Sequence, residues 1–446
     1  TALGGLDKDE PVAVLMQRSA KQLAACFALL RCGYSTVSVN RGALPHLRAN
    51  NIRTLIYDVD DEVLPGGRNI RADDGWLRRA KETSLDWSSD QPSLATSTDL
   101  IFFTSGTTGV PKKVIFPGAA FQDRVDLLPV SGESHHERSL IIPGLNTTFG
   151  FVRAATVLYA GKTACFAADA ETQLLLINAY GVEMVSGSPQ QILSLVEVIE
   201  GGQRYRLESL KEVKIGGGHA TKELVGRVQS NLCRNVTSEY GATEAGILAV
   251  SACDLIMDIP NAVGFVAPGA AIEIVDAASQ PLERETEGLI RCRSGCFSKV
   301  FAANFPERAG EANDVWWYPG DIGRLTKNGV LCVGGRADDV INCGGVKVSG
   351  AVLDDVIQKI PGVLDAGVCG VPNDTGTEEI WAGVVADKEI DLNELNATIL
   401  KHPDARVGVS AVLSVERIPR NDLGKLQRYR LKEMLMGIKI RQTSNS

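Results

Sequence analysis

Short apolar runs alternate with stretches of helical spacing through the first third of the chain, and this alternation restricts the fold more than any other feature. Residues 11–16 read as an apolar strand, residues 19–30 repeat apolar side chains at helical spacing, and Gly33 stands where a helix C-cap glycine belongs. Further strand-like runs follow at 37–39, 54–57, 100–103, 114–116 and 140–142. Strands separated by helices build an α/β fold in which helices cover largely parallel sheets. A chain of 446 residues exceeds one ordinary core, so two or three units are expected. After Gly334, Gly335, Arg336, Ala337, Asp338 and Asp339 a smaller α+β pattern begins, with a helix over 352–360 and strands over 367–371 and 382–386. The simplest division is a large domain over 1–337 and a small one over 338–446, joined near Asp338.

A formal net charge of −8 supplies no cationic field for a general nucleic-acid binder. The ten cysteines lack CxxC pairs and histidine partners at zinc spacing, so they read as reduced core residues, and Cys292 and Cys296 as structural. His46, His135, His136, His219 and His402 show no ligand or triad spacing. Neither a leader-type segment nor an uncharged apolar run of spanning length is present, so a soluble, cytoplasmic protein is expected.

Chemistry is concentrated in a few stretches. Thr104, Ser105, Gly106, Thr107, Thr108 and Gly109, closed by Pro111 and Lys112, follow an apolar strand with hydroxyls, glycines and a cation that suit a polyphosphate. The GxxxxGK[ST] spacing of a Walker A loop fails, and a strand rather than a helix follows. Gly216, Gly217 and Gly218 end another strand, where bare backbone can lie against a planar ring. Ser238 to Glu244 then runs Ser-Glu-Tyr-Gly-Ala-Thr-Glu, and Tyr318-Pro319-Gly320-Asp321 holds a carboxylate on a turn. Close to the end, Ile418-Pro419-Arg420-Asn421-Asp422-Leu423-Gly424-Lys425 sets a lysine behind a glycine and before a helix-like stretch. Read alone, the first loop is equally a plain connection, and the last lysine a solvated one.

Taken in this order, the motifs resemble the AMP-forming acyl and aryl CoA synthetases, the adenylate-forming superfamily that includes adenylation domains and luciferases. The resemblance implies a large N-terminal domain of mixed and parallel sheets covered by helices, with a small mobile α+β C-terminal lid domain. It implies that the Thr104 to Lys112 loop holds the β- and γ-phosphates of ATP. Gly216, Gly217, Gly218, Glu239, Tyr240, Gly241 and Ala242 would contact the adenine, Thr243 the α-phosphate, Asp321 the ribose hydroxyls and Arg336 the nucleotide. Glu244 would be the magnesium ligand, since a hard cation bridging phosphates takes a carboxylate oxygen. Lys425 would stabilise the charge where a carboxylate meets the α-phosphorus. Asp338 matches the hinge, and Gly344, Gly345 and Lys347 the loop that faces coenzyme A after the small domain pivots.

The implied reaction is activation of a carboxylic acid to acyl-AMP with pyrophosphate release, then transfer to coenzyme A. The partners so implied are a small carboxylic acid, a homodimer mate and, as the alternative acceptor, a carrier protein. A degenerate member that binds nucleotide without turnover is the rival from another class; a dinucleotide-binding dehydrogenase fails on glycine spacing. Several positions depart from the family pattern. Lys113 replaces a glycine, Leu289 a glutamate and Gly350 a proline, and the acyl-gate stretch from Pro143 to Gly150 carries Asn146 and Thr147 where a histidine is usual. Residues 11–15 already resemble the family's first well-marked strand, so a truncated start is expected.

Overall fold

The computed structural model describes residues 6–58, 63–73, 75, 98–104, 112–127, 135–312, 315–343, 346–373, 378–388, 390–402, 407–421 and 424–444. Ser105, Gly106, Thr107, Thr108, Gly109, Gly344 and Gly345 therefore lie outside the described residues, as do the side chains of Thr104, Lys112, Asp338 and Lys347.

The first sheet contains β1 (Val12–Leu15), β2 (Thr36–Ser38), β3 (Thr54–Tyr57), β4 (Arg68–Arg71), β5 (Asp99–Thr104) and β6 (Lys112–Pro117), in the order β4-β3-β1-β2-β5-β6. Helix α1 (Ser19–Arg31), the one-turn α2 (Leu44–Leu47) and α3 (Gly118–Leu127) belong to this part. Helix α1 stops where Gly33 adopts φ +82°. Only the β5–β6 pair in this sheet is antiparallel.

The second sheet has eleven strands in the order β14-β15-β16-β17-β13-β12-β11-β10-β9-β7-β8. Its parallel half comprises β7 (Arg138–Ile141), α4 (Thr148–Tyr159), β8 (Thr163–Cys165), α5 (Ala170–Tyr180), β9 (Met184–Gly187), α6 (Pro189–Glu200), β10 (Glu212–Gly216), α7 (Lys222–Asn231) and β11 (Val236–Ala242). Side-chain caps begin these helices at Thr147, Asp169, Ser188 and Thr221, and Ser188 forms a full capping box with Gln191. From β11 onward the chain runs antiparallel through β12 (Gly246–Ala252), β13 (Ala262–Val266), β14 (Ala270–Val275), β15 (Gly288–Ser294), α8 (Gly295–Asn304), β16 (Asp321–Leu325) and β17 (Val330–Arg336).

One face of the parallel half, including Leu140, Val185, Val213 and Ile215, forms an apolar core with α5, α6 and α7. Helix α4 is buried almost all round, as a helix enclosed on both sides must be. Its Phe151 meets Phe27, Phe102 and Phe121 edge to face on the first-sheet side, while its Arg153 reaches the second sheet.

The remaining residues form a smaller α+β region. A hairpin of β18 (Val340–Cys343) and β19 (Val346–Ser349) leads to α9 (Gly350–Gln358). Strands β20 (Val363–Pro372), β21 (Glu378–Ala386) and β22 (Ala411–Ser414) then make a separate sheet with α10 (Leu392–Ile399) and α11 (Arg428–Ser444). This sheet has its own apolar cores: Leu353, Ile357 and Leu395 on one side, and Leu431 and Leu435 of α11 on the other. Among the described residues the cysteines are free, no helix is long and apolar enough to cross a membrane, and no group of three or more His, Cys, Asp or Glu residues could hold a metal.

Candidate active site

Strands β5 and β6 set the two ends of the hydroxyl-rich loop beside each other, because Thr104 and Lys112 are cross-strand partners. Helix α3 follows β6 directly and sends Arg124 across to the end of β11. There Nη1 donates to the Thr243 carbonyl and Nη2 to the Ala242 carbonyl, both at 3.0 Å, while the guanidinium stands over the Phe116 ring. Burial pulls this guanidinium below its ordinary pKa, and the nearby Glu244 is among the groups opposing that shift.

The β11–β12 hairpin is tight. A Cβ at Gly241 would lie 2.2 Å from the Gly246 carbonyl oxygen, and Gly246 itself has φ +86°. Gly216 at the end of β10 pairs with Glu239 of β11, and Gly217 turns the chain away at φ +75°. Thr148, the first residue of α4, donates its hydroxyl to Thr243 Oγ1 at 3.2 Å. Thr243 is thereby held from the backbone by Arg124 and from the side chain by α4.

Alternation along β11 sends Tyr240 and Glu239 to opposite faces. The Tyr240 hydroxyl donates to Asp321 Oδ2 at 2.5 Å. Asp321 opens β16 opposite Arg336 of β17, whose Nη1 is 3.6 Å from its Oδ1. Burial pushes the Asp321 carboxyl above the usual aspartate range against the pull of Tyr240, Arg336 and Lys425. Tyr240, buried beside that carboxylate, is pushed well above an ordinary phenol.

Lys425 reaches this group from the C-terminal region. Its loop is stapled internally: Arg420 and Leu426 form a bridge, Asn421 accepts from the Lys425 backbone at 2.9 Å, and Arg420 donates to the Gly424 carbonyl at 2.9 Å. Gly424, at φ +76°, lies so close to α6 that a Cβ there would come within 2.6 Å of Gln190 Cβ. Lys425 stays open to solvent at the lip of the cleft. Burial by the surrounding protein nonetheless lowers its ammonium pKa first, followed by Arg336, with Asp321 and Asp339 opposing. Arg428, at the start of α11, holds the loop's far side through Asp354 at 2.5 Å and the Val368 carbonyl at 2.5 Å.

Tyr240, Asp321, Arg336 and Lys425 are thus brought together, with Thr243 and Glu244 following in the β11–β12 turn and Gly216, Gly217, Gly218, Gly241 and Ala242 at the adjoining strand ends and turns. Glu239 adjoins Tyr240 by backbone, but its side chain turns toward α4 and pairs with Arg153. On the face of β11 that carries Ser238, a cavity of about 190 Å³ is lined by His219, Ser238, Asn261, Ala262 and, from α9, Asp355 and Lys359. Arg124, Arg153 and Arg428 do not emerge from sequence reasoning. Arg153 and Glu239 are 86 positions apart, and no local spacing marks a guanidinium that serves a distant carbonyl or carboxylate.

The family model for AMP-binding enzymes matches residues 2–301. The 4-chlorobenzoate–CoA ligase of Arthrobacter sp is 25% identical over 468 residues, covering 97% of this chain and 86% of that protein. The 2-succinylbenzoate–CoA ligase of Bacillus licheniformis is 29% identical over 347 residues, covering 74% and 69%. Among solved structures, O-succinylbenzoate coenzyme A synthetase from Bacillus subtilis, in complex with ATP and magnesium ion, aligns with a TM-score of 0.79 at 23% identity, covering 97% of this chain and 91% of that one. The amide bond synthetase McbA from Marinactinospora thermotolerans aligns at 0.76 and 22% identity, covering 97% and 92%.

Proposed function

Because the chain belongs to the AMP-binding enzyme family, we propose that it activates a carboxylic acid with ATP, releases pyrophosphate, and passes the acyl group from acyl-AMP to the thiol of coenzyme A. The observation that carries this reading is the docking of the Lys425 loop on α6, which sets an ammonium beside Asp321 and Arg336 from a separate region of the fold. Two anions must meet when a carboxylate attacks the α-phosphorus, and Lys425 offsets the charge that builds between them. Asp321, held by Tyr240 and Arg336, accepts the ribose hydroxyls. Thr243 meets the α-phosphate with a hydroxyl fixed by Thr148, and the Thr104 to Lys112 loop takes the outer phosphates.

Magnesium fits Glu244. Glu244, near the buried Arg124, would hold the ion through a carboxylate oxygen, since a magnesium ion bound together with substrate phosphates takes only one or two protein carboxylates. When bound it neutralises phosphate charge.

The small region over 338–446 acts as the lid, with Asp338 as its hinge and the loop with Gly344, Gly345 and Lys347 as the face turned to coenzyme A. Coenzyme A ligases among the relatives favour that acceptor; the amide bond synthetase fold neighbour keeps other acceptors in the test. Pyrophosphate release should depend on an added acid, and thioester should accumulate with coenzyme A rather than with carrier-protein pantetheine or an amine. Release that ignores every acid in a broad panel would remove the ligase reading. Release followed by transfer only to a carrier or amine would correct the acceptor.

A further inference from the structure

The sheet face that α4 covers is charged where a buried parallel sheet is ordinarily apolar. Across β7, β9, β10 and β11 this face presents Ser139, Ser186, Glu212, Lys214, Thr237 and Glu239, while Val185, Val213 and Ile215 point to the opposite core. Ser139, Ser186 and Lys214 are 0% exposed and Glu239 is 6% exposed. Arg153 of α4 pairs with Glu239 Oε2, and Lys214 Nζ lies 3.8 Å from Glu239 Oε1 and 3.9 Å from Glu212 Oε2. Thr237 donates to Glu212 at 2.6 Å, and His136 stands 3.0 Å from the same carboxylate.

Stability does not require this layer. Well-packed apolar residues of similar volume serve as well as a buried ion network, so buried charge of this kind calls for another reason.

Its position supplies one. Glu239 immediately precedes Tyr240 and points to the other face of β11. Helix α4 carries Arg153 and begins at Thr148, whose hydroxyl touches Thr243. Between them Phe149 lies under the Arg153 guanidinium, 5.4 Å from ring centre to Cζ, with its ring edge 3.1 Å from where a Gly216 Cβ would stand. Through Thr148 and Phe149 the charged layer stands behind Thr243, on the face of β11 opposite Tyr240 and Asp321; on the reading above, an acid whose carboxylate meets the α-phosphate would extend toward it. Among the described residues Glu239 Oε1, 3.8 Å from the Lys214 ammonium, accepts no hydrogen bond, and neither Ser139 Oγ nor Ser186 Oγ has a hydrogen-bond partner. A buried acceptor without a donor is costly, and a substrate donor placed there removes that cost.

We propose that this charged layer selects carboxylic acids bearing a hydroxyl or amino group, which donates to Glu239 Oε1 while Arg153 and Lys214 hold the carboxylate in place; unadorned alkyl acids are disfavoured. The proposal deepens the acid-activating reading above and rests on it.

The test compares hydroxy and amino acids with their methyl isosteres, such as 3- and 4-hydroxybenzoate, 3-aminobenzoate, and 3- and 4-methylbenzoate, together with short hydroxy and alkyl acids, by kcat/KM for pyrophosphate release. At least one donor-bearing acid should exceed its methyl isostere by about a hundredfold or more, because a site built to hydrogen-bond a substrate rejects the analogue lacking the group. Replacing the pair together, Arg153→Met with Glu239→Leu, keeps the volume filled and should bring that ratio close to one, whatever the overall rate; Glu239→Gln, which retains an acceptor oxygen, should reduce it less. Methyl acids used as well as their partners throughout, or a ratio unchanged in the paired variant, would overturn the proposal while leaving acid activation standing. Failure of every acid to drive pyrophosphate release would instead bring down the acid-activating reading itself.

Discussion

Arg124 illustrates how one side chain can set a site it does not line. Its two hydrogen bonds fix the carbonyls of Ala242 and Thr243, and hence the turn that presents Thr243 and Glu244. Arg124→Met removes both donors while keeping much of the packing on Phe116. A shift of the turn by about 1 Å is worth about a hundredfold in rate, so kcat/KM for ATP should fall by about that factor, with the KM for acid changed far less. Equal loss for both substrates would point to general unfolding, and no loss would show that the turn holds itself. At the same scale Tyr240 and Asp321 were legible in the sequence because each sits in a short motif of distinctive residues. Arg124 was not, since a half-buried arginine on a helix reads like any solvated one until the fold brings the carbonyls to it.

The β11–β12 hairpin is the element on which the cleft is built, and its glycines can be judged individually. A methyl at Gly241 would collide with the Gly246 carbonyl, whereas the Cβ position at Gly226 in α7 has nothing within 4 Å among the described residues. Gly241→Ala should therefore cost about 2 kcal/mol or more and weaken nucleotide binding. Gly226→Ala should instead stabilise the protein by about 0.4–1 kcal/mol through the unfolded chain. Thermal denaturation of both variants decides this, and similar midpoints for the two would contradict it.

Elements with clear periodicity were readable: residues 54–57 form β3 as expected, and the helix anticipated over 19–30 spans Ser19–Arg31. The antiparallel half of the second sheet left a weaker trace. Strand β11 ends in Gly-Ala and β17 carries Gly-Gly near its end, poor strand formers that are held by partners on both sides. Lys214 is the extreme case: fully buried in a central strand, it would be assigned to a solvent face by any local rule. Glu239 of β11 and Glu212 of β10, 3.8 and 3.9 Å from its ammonium, offset this buried charge against burial and the like charge of Arg153.

For the whole molecule, the decisive relation is between the small C-terminal region and the large one. Gly424 lies against Gln190, and Asp321 and Arg336 both bear on the Lys425 ammonium; under the function proposed above, this is the arrangement that serves adenylation. The motif that brings this lysine could be read from the chain, but its meeting with Asp321 could not, because the two positions are 104 apart in sequence and belong to separately packed regions. If the second half-reaction uses a different arrangement, the two steps must depend on Lys425 unequally. The most direct test is Lys425→Ala assayed separately for pyrophosphate release from ATP with acid, and for thioester formation from supplied acyl-AMP and coenzyme A. Loss of the first by at least about a hundredfold, with the second largely retained, is the expected result; equal loss in both, or full retention of the first, would contradict the place given to this lysine.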